Sequence, residues 1–404
     1  MASENGLSCH DLNKNWKPSS QVITFGSLFV KDLPDGLFLP EYPSTFNPTA
    51  KFHNDEKYFI HDIPPYTNNE VQYLKPIQFC PMAGNELPML LRNKPGEALK
   101  QHWKKWLPFF PDANMCDLTL EGTGERKCFT QYPLQCLPRK KHAIDPDVHH
   151  KILSKNSIPE MGANCPRHMT LDDYTVPCMI KASWGTGGKA TYLAKTKPDA
   201  ENFIYKLQNE FRCPEPVISE FITGVTGNYC VNFYLYKSGD VEWLGCPIQD
   251  IDEDFGWIGV HMDWNEQDEL KDKLYDTVMP VKEYLHQNGY FGVVGIDVLS
   301  NKDGNFVIDV NARINGSTTL VMIGPHMAEL GYPMSAKLMI EDVKCTESEL
   351  IDEFNKINSE GKEMVINLAS VETEKSCTAV ICLFAKTEEN LKTLYKKMVN
   401  HECW

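Results

Sequence analysis

The chain has 404 residues, and 40 Lys+Arg against 55 Asp+Glu leave a net charge of −15 at pH 7, which repels polyanions and argues against a general nucleic-acid coat. Hydrophobic residues at 42% and charged residues at 24% are ordinary globular values, excluding collagenous, coiled-coil and low-complexity chains. At this length two or three domains can each bury a core.

Met1 to Asp11 has neither a basic start nor an apolar stretch, and no later run approaches the roughly 18 apolar residues of a spanning helix. Ala2 in place of Gly, and Cys403 next to the end, remove two lipidation signals. The fourteen cysteines, from Cys9 to Cys403, contain no C-x-x-C pair and fall mostly in apolar runs such as those around Cys178, Cys230 and Cys382. They read as reduced thiols of a cytoplasmic protein without membrane or nucleic-acid partners. The His149-His150 pair has no Cys at ligand spacing, so no structural zinc is expected. Asn315-Gly316-Ser317 matches a glycosylation acceptor, a chance match without a secretory signal.

Residues 1–140 are rich in Pro and aromatics. Runs such as Val22–Phe25 and Phe29–Val30, broken by Pro34, Pro40 and Pro43, predict short strands and long loops. Ala98 to Leu107 places Trp103, Trp106 and Leu107 for one helical face and stops at Pro108. A basic cluster, Arg139 to His142, precedes a helix over Asp145 to Asn156 with an acidic cap and Pro146 at its first position. A new domain is expected from 141.

From Tyr174 to Gly224 the pattern is strand (Thr175–Ser183), Gly-rich loop (Trp184–Gly188), strand (Lys189–Thr196), helix (Pro198–Phe211) and strand (Pro216–Thr223), a compact α+β unit over about 174–223. Two strands come next, Asn228–Tyr236 and Val241–Ile248, around the turn Lys237 to Asp240. Asp250 to Trp264 reads as an acidic and aromatic loop. Glu266 to Gln287 is a long helix stopped at Gly289. Strands Phe291–Ser300 and Asn305–Asn315 flank Lys302-Asp303-Gly304, and the tail reads helix (Glu347–Ser359), strand (Met364–Val371), strand (Thr378–Ala385), helix (Glu388–Asn400). Residues 346–404 are expected to form a small C-terminal α/β module. No internal repeat is present.

The glycines of Trp184-Gly185-Thr186-Gly187-Gly188-Lys189 let backbone N–H groups approach an anion. A P-loop needs Gly at 183 and Ser/Thr at 190, where this chain has Ser183 and Ala190. Gly185-x-Gly187-x-x-Ala190 matches a dinucleotide fingerprint, but that motif opens a helix and Ala190–Ala194 alternates like a strand. A flexible loop between antiparallel strands, folding over phosphates, fits better, although an ordinary Gly hairpin looks the same in isolation. Lys181, on Met179's side of its strand and next to the loop, is placed to neutralise phosphate.

In Asn305-Phe306-Val307-Ile308-Asp309-Val310-Asn311-Ala312-Arg313-Ile314-Asn315 a period of two puts Asp309, Asn311, Arg313 and Asn315 on one face and Ile308, Val310, Ala312 and Ile314 on a dry one. Asp297, in Gly295-Ile296-Asp297-Val298, joins them if the hairpin register is right. A three-residue loop Lys302-Asp303-Gly304, with Gly304 left-handed, pairs Asp297 with Asp309, whereas a two-residue turn sets it against Val310; the longer loop is the expectation. A solvated strand face carries similar residues. Two carboxylates and an amide oxygen converging between buried strands, however, are costly unless a cation such as Mg²⁺ compensates.

The order of lysine strand, Gly loop, Glu220-Phe221-Ile222 strand end and Gly-Ile-Asp plus Asp-Val-Asn-Ala-Arg-Ile-Asn-Gly-Ser hairpin resembles the ATP-grasp superfamily over about residues 140–340. The resemblance implies an α+β fold in which two α+β subdomains grip ATP across residues 141–345, preceded by an α/β pre-ATP-grasp domain over 1–140 that helps form a substrate pocket. It places Lys181 and Gly185, Thr186, Gly187 and Gly188 on the phosphates, Glu220, Phe221 and Ile222 around adenine, and Asp297, Asp309 and Asn311 on Mg²⁺. Arg313 resembles the family's phosphate-side arginine. Asn228 stands where an acid usually holds the ribose, and the early nucleotide lysine corresponds to Lys140 or Lys141. Some ligases of this type carry an arginine where this chain has Gly295, which leaves oxyanion stabilisation to Arg313.

The activity implied by the same resemblance is that of an ATP-dependent ligase joining a carboxylate to an amine, of the amino acid or short peptide class, through an acyl phosphate. The loop 250–264, with Asp252, Glu253, Asp254, Trp257, His261 and Trp264, is the expected substrate wall, its acids either holding an amino group or merely solvated. A phosphotransferase acting on a hydroxyl, and a non-catalytic binding protein of the same fold, are the rival readings. The oligomeric state, a homodimer among the options, is not specified.

Overall fold

A computed structural model of the chain describes residues 21–119 and 123–402; Met1 to Asp11, with Ala2 and Cys9, and Cys403 lie outside the described residues. The N-terminal part is built on a four-stranded, all-parallel sheet ordered β3-β2-β1-β4, each strand only three residues long: β1 Leu37–Leu39, β2 Met89–Leu91, β3 Met115–Asp117 and β4 Cys128–Thr130. Three helices accompany it, α1 (Phe25–Asp32), α2 (Lys75–Ile77, continuing a π-turn over Glu70–Leu74) and α3 (Glu97–Trp106).

The strand expected at Val22–Phe25 gives way to α1. Thr24 and Ser27 cap it reciprocally, each side-chain oxygen accepting the other's backbone N–H at 2.9 Å, and Phe25, Leu28 and Phe29 bury the i, i+3, i+4 face. Phe29 stacks on Phe129 with centroids 4.1 Å apart, and Phe129 meets Phe291 edge-on, so this part shares its core with the central sheet.

Asp145 accepts hydrogen bonds from the N–H groups of Asp147 and Val148 at the start of α4 (Pro146–Ile152), which ends sooner than expected and passes into a 3₁₀ helix, Lys155–Met161. Next comes a small antiparallel sheet ordered β5-β8-β6-β7, made of β5 His168–Met169, β6 Cys178–Lys181, β7 Thr191–Ala194 and β8 Val217–Glu220. It is covered by α5 (Lys197–Tyr205) around a separate core that includes Cys178, Ile180, Ala200 and Leu207.

The remaining strands form one nine-stranded antiparallel sheet. β9 (Gly227–Leu235) pairs with β10 (Val241–Gly245), β11 (Ile248–Ile251) and, across the helix α6 (Gln267–Gln287), β13 (Gly292–Asn301). β12 (Trp257–Asp263) pairs with β11, so most of the expected 250–264 loop is strand; Val260 to Asp263 alternates buried and half-buried in the manner of a strand, a period too short to stand out beside Gly259 and the acids of the preceding turn. β14 (Gly304–Asn311) closes one edge.

α7 (Thr318–Glu329) and β15 (Met334–Val343) occupy the stretch the sequence left unassigned. The tail, α8 (Glu347–Ser359), β16 (Glu363–Glu372), β17 (Cys377–Ala385) and α9 (Glu388–Val399), falls where expected, but it is not a sheet of its own. β17 pairs with both β15 and β16 and extends the central sheet, because β15 offers a free edge beyond β12. Trp103 on α3 seals the junction, donating from its indole N–H to the carbonyl of Asn367 at 2.6 Å. The twelve described cysteines are all free, and among the described residues no helix is long and apolar enough to cross a membrane.

Candidate active site

A cleft of about 1800 Å³ opens between the small sheet, the β9–β13–β14 end of the large sheet and the N-terminal part. Along β6, Cys178 and Ile180 are fully buried while Met179 and Lys181 line the cleft. The Gly loop does join two antiparallel strands, since Lys181 pairs with Thr191. Its base is held by Trp184, which stacks on His150 at 4.4 Å and donates to the His150 carbonyl. Its tip lies across the cleft against the β11–β12 turn, where the Trp257 N–H donates to the Gly187 carbonyl at 3.2 Å. Gly187 and Gly188 have φ of +61° and +73°, and a Cβ on Gly188 would stand 2.0 Å from the Phe255 carbonyl oxygen, so the crossing requires glycine there.

Asp297 and Asp309 are directly paired between β13 and β14. The route to that register differs from the expectation. The hairpin has a two-residue turn, Lys302-Asp303, closed by the pair Asn301–Gly304, and a β-bulge at Ile308 supplies the missing residue. The bulge also changes the face assignment: Val307 and Val310 are buried, whereas Ile308 lines the cleft beside Asp309 instead of joining the dry face. Ala312 and Ile314 are buried as expected. β14 ends at Asn311, so Arg313 and Asn315 reach the cleft from the segment beyond it.

The acid pair is electrostatically strained. One carboxylate oxygen of Asp297 is buried without a hydrogen-bond partner, and the amide of Asn311 approaches the other only at 3.5 Å. Burial first, and then the charge of Asp309, push the Asp297 carboxyl above the ordinary carboxylate range. Asp309 is better served, accepting from the Val310 N–H at 2.9 Å and from Lys155 Nζ at 2.8 Å. The Asn311 side-chain oxygen Oδ1 accepts from the Arg313 guanidinium at 2.6 Å, and that guanidinium lies over the Tyr132 ring. Among the described residues no three acidic, His or Cys side chains converge on one point, so a cation here would draw on two carboxylates and an amide oxygen. That all-oxygen set, with an orphaned buried oxygen in it, suits Mg²⁺.

Lys155 is the residue sequence reasoning missed. It is buried at the start of its 3₁₀ helix, with Nζ bridging Asp309 and the Gly185 carbonyl. Lys141 and Lys140 lie outside the cleft lining, bonded to Thr123 and Glu125. The expected helix over 145–156 runs through Lys155 without singling it out. Its signal was local, since the chain turns at Ser154, whose side chain caps the next turn. Lys181 has a pKa drawn down to about 8 by burial and by Lys155.

Glu220, Phe221, Ile222 and Asn228 all line the cleft. Of the expected substrate wall, Trp257 and His261 do so, the latter paired with Asp250 at 2.9 Å. Asp252 instead closes its own turn by accepting from the Asp254 and Gly256 N–H groups, and Glu253, Asp254 and Trp264 stay outside the lining. Gly295 has a positional reason: a Cβ there would fall 1.8 Å from Nδ2 of Asn315. Asn315 is buried, donates to Asn232 at 2.9 Å and accepts from the N–H groups of Ser317 and Thr318, fixing the start of α7 at the cleft.

Residues 164–311 match a protein-family model described as "L-aspartate--L-methionine ligase, ATP grasp". Tyramine--L-glutamate ligase of Methanocaldococcus jannaschii is 32% identical over 114 residues, 28% of this chain and 34% of that protein; the chain thus spans about a third of the length of this curated relative. The L-amino acid ligase from Bacillus licheniformis superposes with a TM-score of 0.52 at 13% identity, over 78% of this chain and 91% of that one. An N5-carboxyaminoimidazole ribonucleotide synthetase, solved as its ADP complex, does so with a TM-score of 0.52 at 10% identity, over 80% and 92%. At these identities the structural likenesses speak to the fold alone.

Proposed function

We propose that this chain, which has the α+β ATP-grasp fold and matches that superfamily over residues 164–311, is an ATP-dependent ligase that joins a small carboxylate to a small amine. One observation carries the reading: Lys155, Lys181, Asp297, Asp309, Asn311 and Arg313 come from four separate segments and line one cleft under a glycine loop. The similarity to amino acid ligases supports substrates of the amino acid or short peptide class.

Asp297, Asp309 and Asn311 would hold Mg²⁺, which when bound supplies positive charge to the phosphate oxygens. Lys181 and Lys155 flank the same oxygens from two sides. In the free protein Lys155 neutralises Asp309, a pairing that a nucleotide with its cation can replace. Glu220 to Ile222 would border the adenine, and Asn228 the ribose. The substrate carboxylate attacks the γ-phosphorus, the bond to the β-phosphate oxygen breaks and ADP departs. The amine then attacks the acyl carbon, phosphate leaves with the C–O bond, and the amine's proton passes to solvent. Two anions must meet in the first step, so Arg313 and the lysines lower the barrier by charge and position. The loop tip, seated on the β11–β12 turn, keeps water from the acyl phosphate. A cytoplasmic location suits free and mostly buried thiols.

The test is ADP release with Mg²⁺ and ATP against pools of carboxylates and amines, with mass spectrometry of products and hydroxylamine trapping of the acyl phosphate. An amide and a hydroxamate are expected. A phosphorylated hydroxyl compound would instead identify a phosphotransferase, and absence of nucleotide binding a protein that keeps only the fold.

A further inference from the structure

Beyond Arg313 the cleft carries more positive charge than ATP chemistry uses. Lys337 on β15 is only 1% exposed. Its Nζ donates to the Gly316 carbonyl at 2.6 Å, to Thr319 Oγ1 at 2.7 Å and to Gln78 Oε1 at 2.7 Å, all neutral acceptors. Lys75, three residues before Gln78, lies over the Tyr66 ring at 3.9 Å and the Tyr42 ring at 4.9 Å, and among the described residues no hydrogen-bond acceptor reaches its ammonium. The two lysines are linked through Gln78, which accepts from Lys337 and donates to the Lys75 carbonyl. Lys189 covers the same Tyr66 ring at 4.3 Å, and the Tyr66 hydroxyl touches Thr186 of the Gly loop at 3.3 Å. The carboxylate that acts on Lys75 is Glu70, part of whose charge is taken by the Thr67 N–H. Burial draws both Lys75 and Lys337 down to about 8, and the charge of Glu70 offsets only part of the fall at Lys75.

A buried ammonium held by neutral groups, and a second one with no acceptor, are costly in a folded protein unless an anion completes them. Resting on the ligase reading, we infer that Lys75, backed by the buried charge of Lys337, forms a second anion subsite, and that the carboxylate substrate carries another anionic group besides the one activated. The reacting carboxylate would lie toward Arg313 and the acid pair. The second anion would sit on the Lys75 ammonium, on its side away from the Tyr42 and Tyr66 rings, whose electron-rich faces hold the cation. Dicarboxylic amino acids and phosphorylated carboxylic acids have this chemistry; their neutral counterparts lack it.

Two measurements separate this inference from the ligase reading. In turnover, glutamate against glutamine and aspartate against asparagine are compared by ADP release, with O-phosphoserine against serine for the phosphorylated class. The acidic member should have the lower KM by about tenfold or more, the scale of one buried charge contact. Lys75→Met should erase that preference by raising KM for the acidic member, with the affinity for Mg-ATP changed by less than about twofold, and Lys75→Arg should restore it in part. Independently of turnover, calorimetric titration of glutarate into the protein without nucleotide should show binding that Lys75→Met abolishes. Equal KM for acidic and neutral members, or glutarate binding untouched by Lys75→Met, overturns the subsite. Loss of Mg-ATP affinity in Lys75→Met overturns it too, since the lysine would then belong to the triphosphate. A protein that binds glutarate through Lys75 but no nucleotide would keep the subsite and remove the ligase reading.

Discussion

Asp297 and Asp309 stand opposite each other because β14 carries one residue more than its partner strand. The turn Lys302-Asp303 lies one residue earlier than the Asp303-Gly304 turn that would set Asp297 against Val310, and alone it would bring Ile308 against Asp297 and send Asp309 toward the core. With Ile308 bulged, both acids face the cleft, separated in sequence and adjacent in space. Two like charges are thereby held on rigid strands before any ligand arrives, a destabilising arrangement that a cation reverses.

Asp297→Asn should therefore make the protein more stable and less active. The Asp297 carboxyl is raised in the fold above its unfolded value of 3.8, so its contribution is most favourable when protonated and is lost as pH rises through the raised pKa. Above that range the buried charge costs stability. The Asn variant should melt higher at pH 7.5, by the order of 1–3 kcal/mol, with the difference vanishing near about pH 4. ADP release should fall by a factor of about 100 or more. Thermal melts at both pH values check this; a less stable variant at pH 7.5 would mean that the charge is already compensated.

Lys155 and Lys141 offer a contrast between a buried cation inside the cleft and a half-buried one outside it. Lys155→Met removes the ammonium shared by Asp309 and the Gly185 carbonyl, and should weaken Mg-ATP by about tenfold or more. Lys141→Met lies outside the cleft lining and should change it by less than about twofold. Calorimetric titration of Mg-ATP into each variant gives the comparison.

Much of this site was legible because its residues sit in strongly periodic strands. Lys181 follows from the alternation of Cys178, Met179 and Ile180, and Asp309 and Asn311 from the strand that holds them. The tail was readable for a similar reason: Thr346 and Thr387 cap α8 and α9 at their first turns, and both helices have one apolar face. What stayed hidden depends on distant contacts. The Ile308 bulge leaves no trace in a period-two pattern, because an inserted apolar residue fits either face. β15 is what makes the tail part of the central sheet, and its pairing with β12 and β17 is not written in its own residues. Lys75 and Lys337 lie far apart in the chain and meet only through Gln78. α1 was misread because its short apolar runs resemble strand fragments, although Thr24 and Ser27 already spelled its cap.

Gly188→Ala should separate phosphoryl transfer from amide formation. The added Cβ meets the Phe255 carbonyl oxygen at 2.0 Å, and the residue's φ of +73° is strained for Ala. The Gly loop would then stand off the β11–β12 turn and admit water to the acyl phosphate. The expected result is ADP release exceeding amide formation by about tenfold, with the melting temperature little changed because the loop tip lies outside the buried cores. Tightly coupled ADP and amide yields in the variant would show that water is excluded by something other than this contact.

Lys181 should set the alkaline limb of ATP use. It is flanked by Lys155, which lowers its pKa, by Asp309 and Asp297, which oppose that shift, and by His168 on β5; burial dominates, and the group falls to about 8. Because the folded value lies below the unfolded 10.5, the charged lysine costs stability at and below pH 8, and stability rises as pH climbs from the folded toward the unfolded pKa. Phosphate binding needs the charged form, so kcat/KM for ATP should be level at neutral pH and fall about tenfold per pH unit above the pKa. Lys181→Arg, charged at every accessible pH, should lose that limb, whereas Lys181→Met should lower the whole profile and melt higher at pH 7. An alkaline limb that survives in the Arg variant would assign the titration to another group.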